Sequence, residues 1–151
     1  MNHEGLYGQI RTVPQFVIGC CFCVLRNKSK VGKGFFEVGN FYPDYILWID
    51  DGQTQYISFI DPKGLLRIRQ DDPKIQFYKT IKELEKRLAA TARDKVIILN
   101  SFILSATPYS DLYIWWRTTD AEVNKEYLAE RNVFTLDNPD CVASMMKKIL
   151  G

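Results

Sequence analysis

"FYPDYILWIDDGQTQYISFIDPKGL", residues 41–65, contains two hydrophobic runs separated by Asp51-Gly52. Each run is rich in aromatic and β-branched residues, and Asp-Gly between two such runs is a strong signal for a tight hairpin turn. The spacing predicts a strand from Tyr42 or Tyr45 to Asp50, a "DDGQ" turn, and a partner strand from Gln55 to Asp61. With the turn centred near residue 52 or 53, position 44 falls roughly opposite 61. Asp44 and Asp61 then share the open end of one hairpin, although aspartate and proline are both disfavoured inside strands. Asp61 and Lys63 are two apart, so on an extended strand they leave the same side. Pro62 removes a backbone donor and leaves a carbonyl free.

The remaining chain supplies what such a hairpin packs against. Val17–Leu25 reads as a strand, and "RNKSKVGKG" as a basic loop. Phe35 and Phe36 open a short extended piece. "TIKE" reads as a capping box that starts a helix at Thr80, with Phe77, Ile81, Leu84 and Leu88 on its apolar face and Lys82, Glu85 and Lys86 in water. Lys95–Leu104 reads as a long strand and Asp111–Trp116 as a short one. Thr119 with Glu122 reads as a second capping box, opening a helix to about Glu130. Val133–Leu136 reads as a strand. Asn138 with Pro139 starts a last helix that buries Val142, Met145, Met146 and Ile149. This order predicts an α/β protein with a central mixed sheet flanked by helices.

A chain of 151 residues is long enough to bury a real core, and without repeats or linkers it reads as one domain, 1–151. Residues 1–15 are polar and suggest a frayed or truncated element. An apolar fraction of 46%, with 25% charged residues and a net charge of +2, fits an ordinary globular chain with no strong overall field. No apolar run reaches the length of a membrane span and no signal-peptide pattern is present, which points to the cytoplasm and no membrane partner. Cys20, Cys21, Cys23 and Cys141 lack zinc-ligand spacing and read as small buried hydrophobes.

Two carboxylates and a carbonyl oxygen suit a hard cation such as Mg2+ or Mn2+. A lysine beside them suits a water nucleophile or a phosphate. Asp-x-Lys alone is commonly a solvated ion pair, and Pro-Asp alone a turn. Their placement at matching ends of one hairpin carries the argument. Arg26, Lys28, Lys30 and Lys33 precede Asp44, while Arg67, Arg69 and Lys74 follow Lys63. Lys28, Lys30, Lys33, Arg67 and Arg69 form the candidate DNA-contacting set. Trp48, Trp115 and Trp116 read first as sheet or core residues. His3 is the single histidine, so Ser105, Ser110 and Cys141 have no histidine partner for nucleophilic catalysis.

Pro43-Asp44 followed by Asp61-Pro62-Lys63 across a hairpin resembles the PD-(D/E)XK nuclease core. The longer strings "GFFEVGNFYPDYILWI" and "QYISFIDPKGL" resemble the nuclease domain at the C-terminal end of type III restriction-type DEAD/DEAH helicase proteins. The resemblance covers residues 22–105 and extends more loosely beyond. It implies a restriction-endonuclease-like core running helix, three strands, helix, strand, and a metal-dependent endodeoxyribonuclease activity. Asp44, Asp61 and the Pro62 carbonyl would hold Mg2+ or Mn2+, and Lys63 would orient water. The family's first helix often supplies a glutamate. Residues 1–15 hold only Glu4, and Glu37 is a substitute ligand candidate. No GxxxxGK[ST] loop is present, so a helicase or translocase partner would supply any motor. The competing expectation is a non-catalytic nucleic-acid-binding or scaffold module with the same fold.

Overall fold

The computed structural model describes residues 21–27, 42–91, 94–117 and 123–151. Five strands form one mixed sheet in the order β1-β2-β3-β4-β5: β1 (Cys21–Arg26), β2 (Tyr45–Asp50), β3 (Thr54–Lys63), β4 (Val96–Ser105) and β5 (Val133–Thr135). The first three are antiparallel neighbours, whereas β4 runs parallel to β3 and β5 parallel to β4. A parallel neighbour requires a crossover, and α1 (Pro73–Ala89) provides it between β3 and β4. The fold is therefore α/β, as the sequence predicts.

The hairpin follows its expected register, with Asp50 facing Gln55 and Tyr45 facing Ile60. Its turn is fixed by local chemistry. Gly52 has φ +96°, a left-handed conformation that costs glycine little. Asp51 accepts from the amides of Gln53 (2.9 Å) and Thr54 (2.6 Å), and Asp50 accepts from that of Gly52 (2.8 Å).

Alternation along the strands sends side chains to two cores. One face packs Leu47, Ile49, Ile60 and Phe102 against Met145 and Ile149 of α4 (Cys141–Leu150). The other packs Phe59 and Leu99 against Phe77 and Ile81 of α1, and Ile103 and Val133 against Leu112 and Trp116 of α2 (Tyr109–Trp116) and Leu128 of α3 (Lys125–Glu130). Five strands alone could not close either face; the helices exclude the water.

Helix α1 starts seven residues before the expected Thr80. Asp72 is the N-cap, its carboxylate accepting from the Lys74 amide at 2.8 Å, and Pro73 occupies the first turn where its missing N–H is harmless. Thr80 lies inside the helix, and its hydroxyl donates to the Phe77 carbonyl. Ile81 is buried as expected, but Leu84 is half-buried and Leu88 lies at the exposed end. Lys82 and Glu85, expected in water, bracket an edge of β4. Glu85 accepts from the Leu99 amide (2.6 Å), and Lys82 donates to the Leu99 carbonyl (2.7 Å). Pairing with β5 begins only at Ile103, so these two side chains take the place of a missing strand at an otherwise open edge.

Further expectations are corrected. Asp111–Trp116 is helix α2 rather than a strand, because Leu112 and Trp116 enter the core one helical turn apart. Helix α3 is capped by Asn124, which accepts from the Tyr127 amide, rather than by Thr119; residues 118–122 lie outside the described set. Helix α4 starts at Cys141 with Asp140 as N-cap, since Asn138 caps the preceding turn through the Asp140 amide. Its buried stripe is Cys141, Met145 and Ile149, with Met146 partly buried and Val142 exposed. Cys141 is a buried hydrophobe as expected, but Cys23 is only half-buried and Cys21 is exposed on the edge strand. Arg26, expected in the basic loop, ends β1, while Cys20, the loop from residue 28 and the extended piece at Phe35 lie outside the described residues. No helix among the described residues is long and apolar enough to cross a membrane.

Candidate functional site

Extending the β2–β3 register one step beyond Tyr45–Ile60 sets Asp44 opposite Asp61, and a second step sets Pro43 opposite Pro62. Side-chain parity places Asp44 with Ile46, and Asp61 and Lys63 with Phe59. All three groups therefore lie on the α1 face, where Ile46 and Phe59 pack. Asn27, just past β1, holds the Pro43-Asp44 peptide. Its amide donates to the Asp44 carbonyl at 2.7 Å and its side chain to the Pro43 carbonyl at 2.9 Å.

The two carboxylates differ in setting. Asp61 is only 7% exposed, whereas Asp44 is open to solvent. Lys63 lies beside Asp61, with Nζ 3.7 Å from a carboxylate oxygen. The Asp61 carboxyl is pushed above the ordinary aspartate range. Burial is the main cause and the charge of Asp44 adds to it, while Lys63 and Lys74 pull the other way. Directly opposed residues stand with Cβ atoms roughly 5 Å apart, so two carboxylates there repel by roughly 1–3 kcal/mol, according to local dielectric. At Asp61 the ammonium of Lys63 outweighs the charge of Asp44, so it is burial that keeps the carboxyl raised. A divalent cation between the carboxylates would reverse the sign of the interaction.

Pro62 adds an oxygen. The Ala106 amide donates to the Lys63 carbonyl at 2.9 Å, so Lys63 turns its peptide edge toward β4. Alternation turns the Pro62 carbonyl toward β2, where the facing residue is Pro43, which has no N–H. The two prolines at this end thus break the ladder beside the carboxylates. The donor set of two carboxylates and a carbonyl, all oxygen, fits Mg2+ or Mn2+. Among the described residues no group of three or more His, Cys, Asp and Glu side chains converges, and Glu37 and Glu4 lie outside them.

Of the candidate DNA contacts, Lys28, Lys30 and Lys33 lie outside the described residues. Arg67 is exposed in the turn after Lys63, at φ +69°. Arg69 is exposed but forms a two-pronged pair with Asp71 at 2.9 and 3.0 Å. Trp116 is core; Trp48 and Trp115 are exposed. A cavity of about 250 Å3 between α2, α3, β5 and α4, lined by Tyr109, Lys125, Leu128, Phe134 and Ser144, contains none of the carboxylate-face residues. Sequence reasoning missed Asn27. A polar residue one step past β1 marks it, once the β1–β2 register is extended to Asp44.

Comparison with protein-family models, curated proteins and solved structures returned no match.

Proposed function

We propose that this chain is a metal-dependent DNA endonuclease domain of the PD-(D/E)XK kind, acting in the cytoplasm beside a helicase or translocase module. The observation that carries the reading is the convergence of Asp44, Asp61 and Lys63 on one face at one end of the hairpin. The order β1, β2, β3, α1, β4 supports it, being the three strands, helix and strand that the resemblance implies.

Asp44, Asp61 and the Pro62 carbonyl would hold Mg2+ or Mn2+, with Glu37 as a further ligand candidate. When bound, such an ion lowers the pKa of water and stabilises charge on a phosphodiester. Lys63 contributes a fixed positive charge next to Asp61. It donates to the attacking water or to a phosphate oxygen, because an ammonium has three donors and no acceptor. Burial of Asp61 keeps this electrostatics strong, while exposure of Asp44 leaves one side of the pair open to an extended substrate. Arg67, exposed in the turn after Lys63, would contact the backbone of that substrate.

The test is nicking of supercoiled plasmid DNA with Mg2+ or Mn2+, against a chelator control and the Asp61→Asn variant. Metal-dependent nicking by the wild type, lost in the variant, is the expected result. DNA binding without nicking would instead favour the scaffold module.

A further inference from the structure

We propose that Lys74 is a second phosphate-directed cation of this site. Lys63 and Lys74 together serve as internal countercharges to Asp44 and Asp61 until a phosphodiester draws them away, so that divalent metal and phosphodiester load together. This inference rests on the nuclease reading above.

The placement follows from how α1 crosses the sheet. Near its C-terminal half, Glu85 bonds the Leu99 amide, and Leu99 pairs with Ile57 of β3. In its first turn, Ile75 packs in the cluster of Ile103, and Ile103 pairs with Asp61. The helix therefore runs opposite to β3, and its N-terminal turn stands level with Asp61. Lys74 lies three residues before Phe77, hence on the helix side that packs on Phe59, and Asp61 lies two residues beyond Phe59 on the same sheet face. The Asp72 carboxylate is turned back onto the Lys74 amide as the helix cap. Among the described residues, the charges of Lys63, Asp44 and Lys74 act on Asp61.

Two carboxylates and two ammonium groups sum to zero. A divalent cation entering such a quartet meets two positive charges that already neutralise its ligands. A phosphodiester supplies the missing negative charge: the lysines turn to its oxygens, and the carboxylates are freed for metal. By linkage, phosphodiester must then tighten metal binding by the same factor that metal tightens phosphodiester binding.

Mn2+ calorimetry, alone and with a short phosphorothioate-linked DNA duplex that resists cleavage, tests this. The wild type should bind Mn2+ about tenfold more tightly with the duplex present, the scale of one ammonium acting on a divalent ion across several ångströms in a water-like dielectric. Lys74→Ala should bind Mn2+ alone about tenfold more tightly than wild type and gain little from the duplex. Lys74→Gln, which keeps most of the stem, should match Lys74→Ala, and Lys74→Arg should match wild type. Variants that leave both the affinity for Mn2+ alone and the gain from duplex unchanged would overturn the role of Lys74 while leaving the nuclease reading intact. A wild type that binds no Mn2+ under either condition would overturn both.

Discussion

The two ends of the β2–β3 hairpin carry two aspartates each in different electrostatic states. At the turn, Asp51 is satisfied by two backbone amides. Asp50 accepts from Lys95 at 2.6 and 2.9 Å, from the Gly52 amide and from Gln55. Its carboxyl is held below the ordinary range, chiefly by the Lys95 hydrogen bond and then by the Gly52 amide. At the open end, Asp61 is buried, faces Asp44 and has Lys63 at the longer distance of 3.7 Å, so its carboxyl is pushed up. Both ends carry the same residue type, so residue type alone does not explain the difference. The turn end uses its carboxylates to stabilise the fold. The open end keeps a carboxylate at a cost to stability, which is expected of a group placed for binding or chemistry.

The largest expected effect separates the ends by function. Asp61→Asn should abolish metal-dependent cleavage and weaken metal binding at least a hundredfold, while the thermal midpoint stays level or rises. Asp50→Asn should leave cleavage intact and lower the midpoint. If Asp61→Asn were the less stable of the two, the division of roles between the ends would be wrong.

Lys63→Ala sharpens the open end further. On the proposed nuclease reading, cleavage should fall by two or more orders of magnitude, because Lys63 would then supply transition-state charge. Mn2+ binding should persist, because an ammonium cannot ligate a metal. Paired calorimetry and nicking assays read both quantities.

A pH series on thermal stability gives the ends opposite signs. Asp50 has a folded-state pKa below its unfolded value near 3.8. Its stabilisation is present above that value and lost as pH falls through the folded pKa. Asp61 has a folded-state pKa above 3.8, so the folded protein becomes less stable as pH rises from 3.8 through the folded value. The advantage of Asp61→Asn over wild type should therefore grow across that window, while the deficit of Asp50→Asn should vanish toward low pH. Differences that run the same way would break the comparison.

Smaller effects are expected at the margins of each end. Asp51→Ala removes the acceptor of two turn amides and should cost about 1 kcal/mol without touching cleavage. Arg67 holds a left-handed conformation that glycine adopts freely, so Arg67→Gly should be neutral or stabilising by up to about 1 kcal/mol while weakening DNA binding and its salt dependence.

Much of this contrast is legible in the sequence. Period-two alternation and the Asp51-Gly52 turn set the hairpin register, and the register alone brings Asp44 to Asp61 and Lys63 to the same face. Helix α1 was readable too, from Asp72-Pro73, but that signal sits in a polar stretch and Thr80 with Glu83 mimics a cap inside the helix. Tyr113-Ile114-Trp115-Trp116 has strand-like composition, yet the spacing of Leu112 and Trp116 is helical, and burial of that pair overrides propensity. The bracketing of Leu99 by Lys82 and Glu85 was not readable. It depends on which β4 edge the short β5 leaves uncovered, a tertiary fact. Asn27 and Lys74 likewise gain their meaning only from the register of β1 and the direction of α1.

The most direct test is Mn2+ calorimetry on wild type, Asp61→Asn and Asp50→Asn in the presence of a phosphorothioate-linked duplex. The account predicts saturable binding by wild type and Asp50→Asn, and at least a hundredfold loss in Asp61→Asn. Equal Mn2+ affinity in wild type and Asp61→Asn would contradict it, since the open-end carboxylates would then hold no metal.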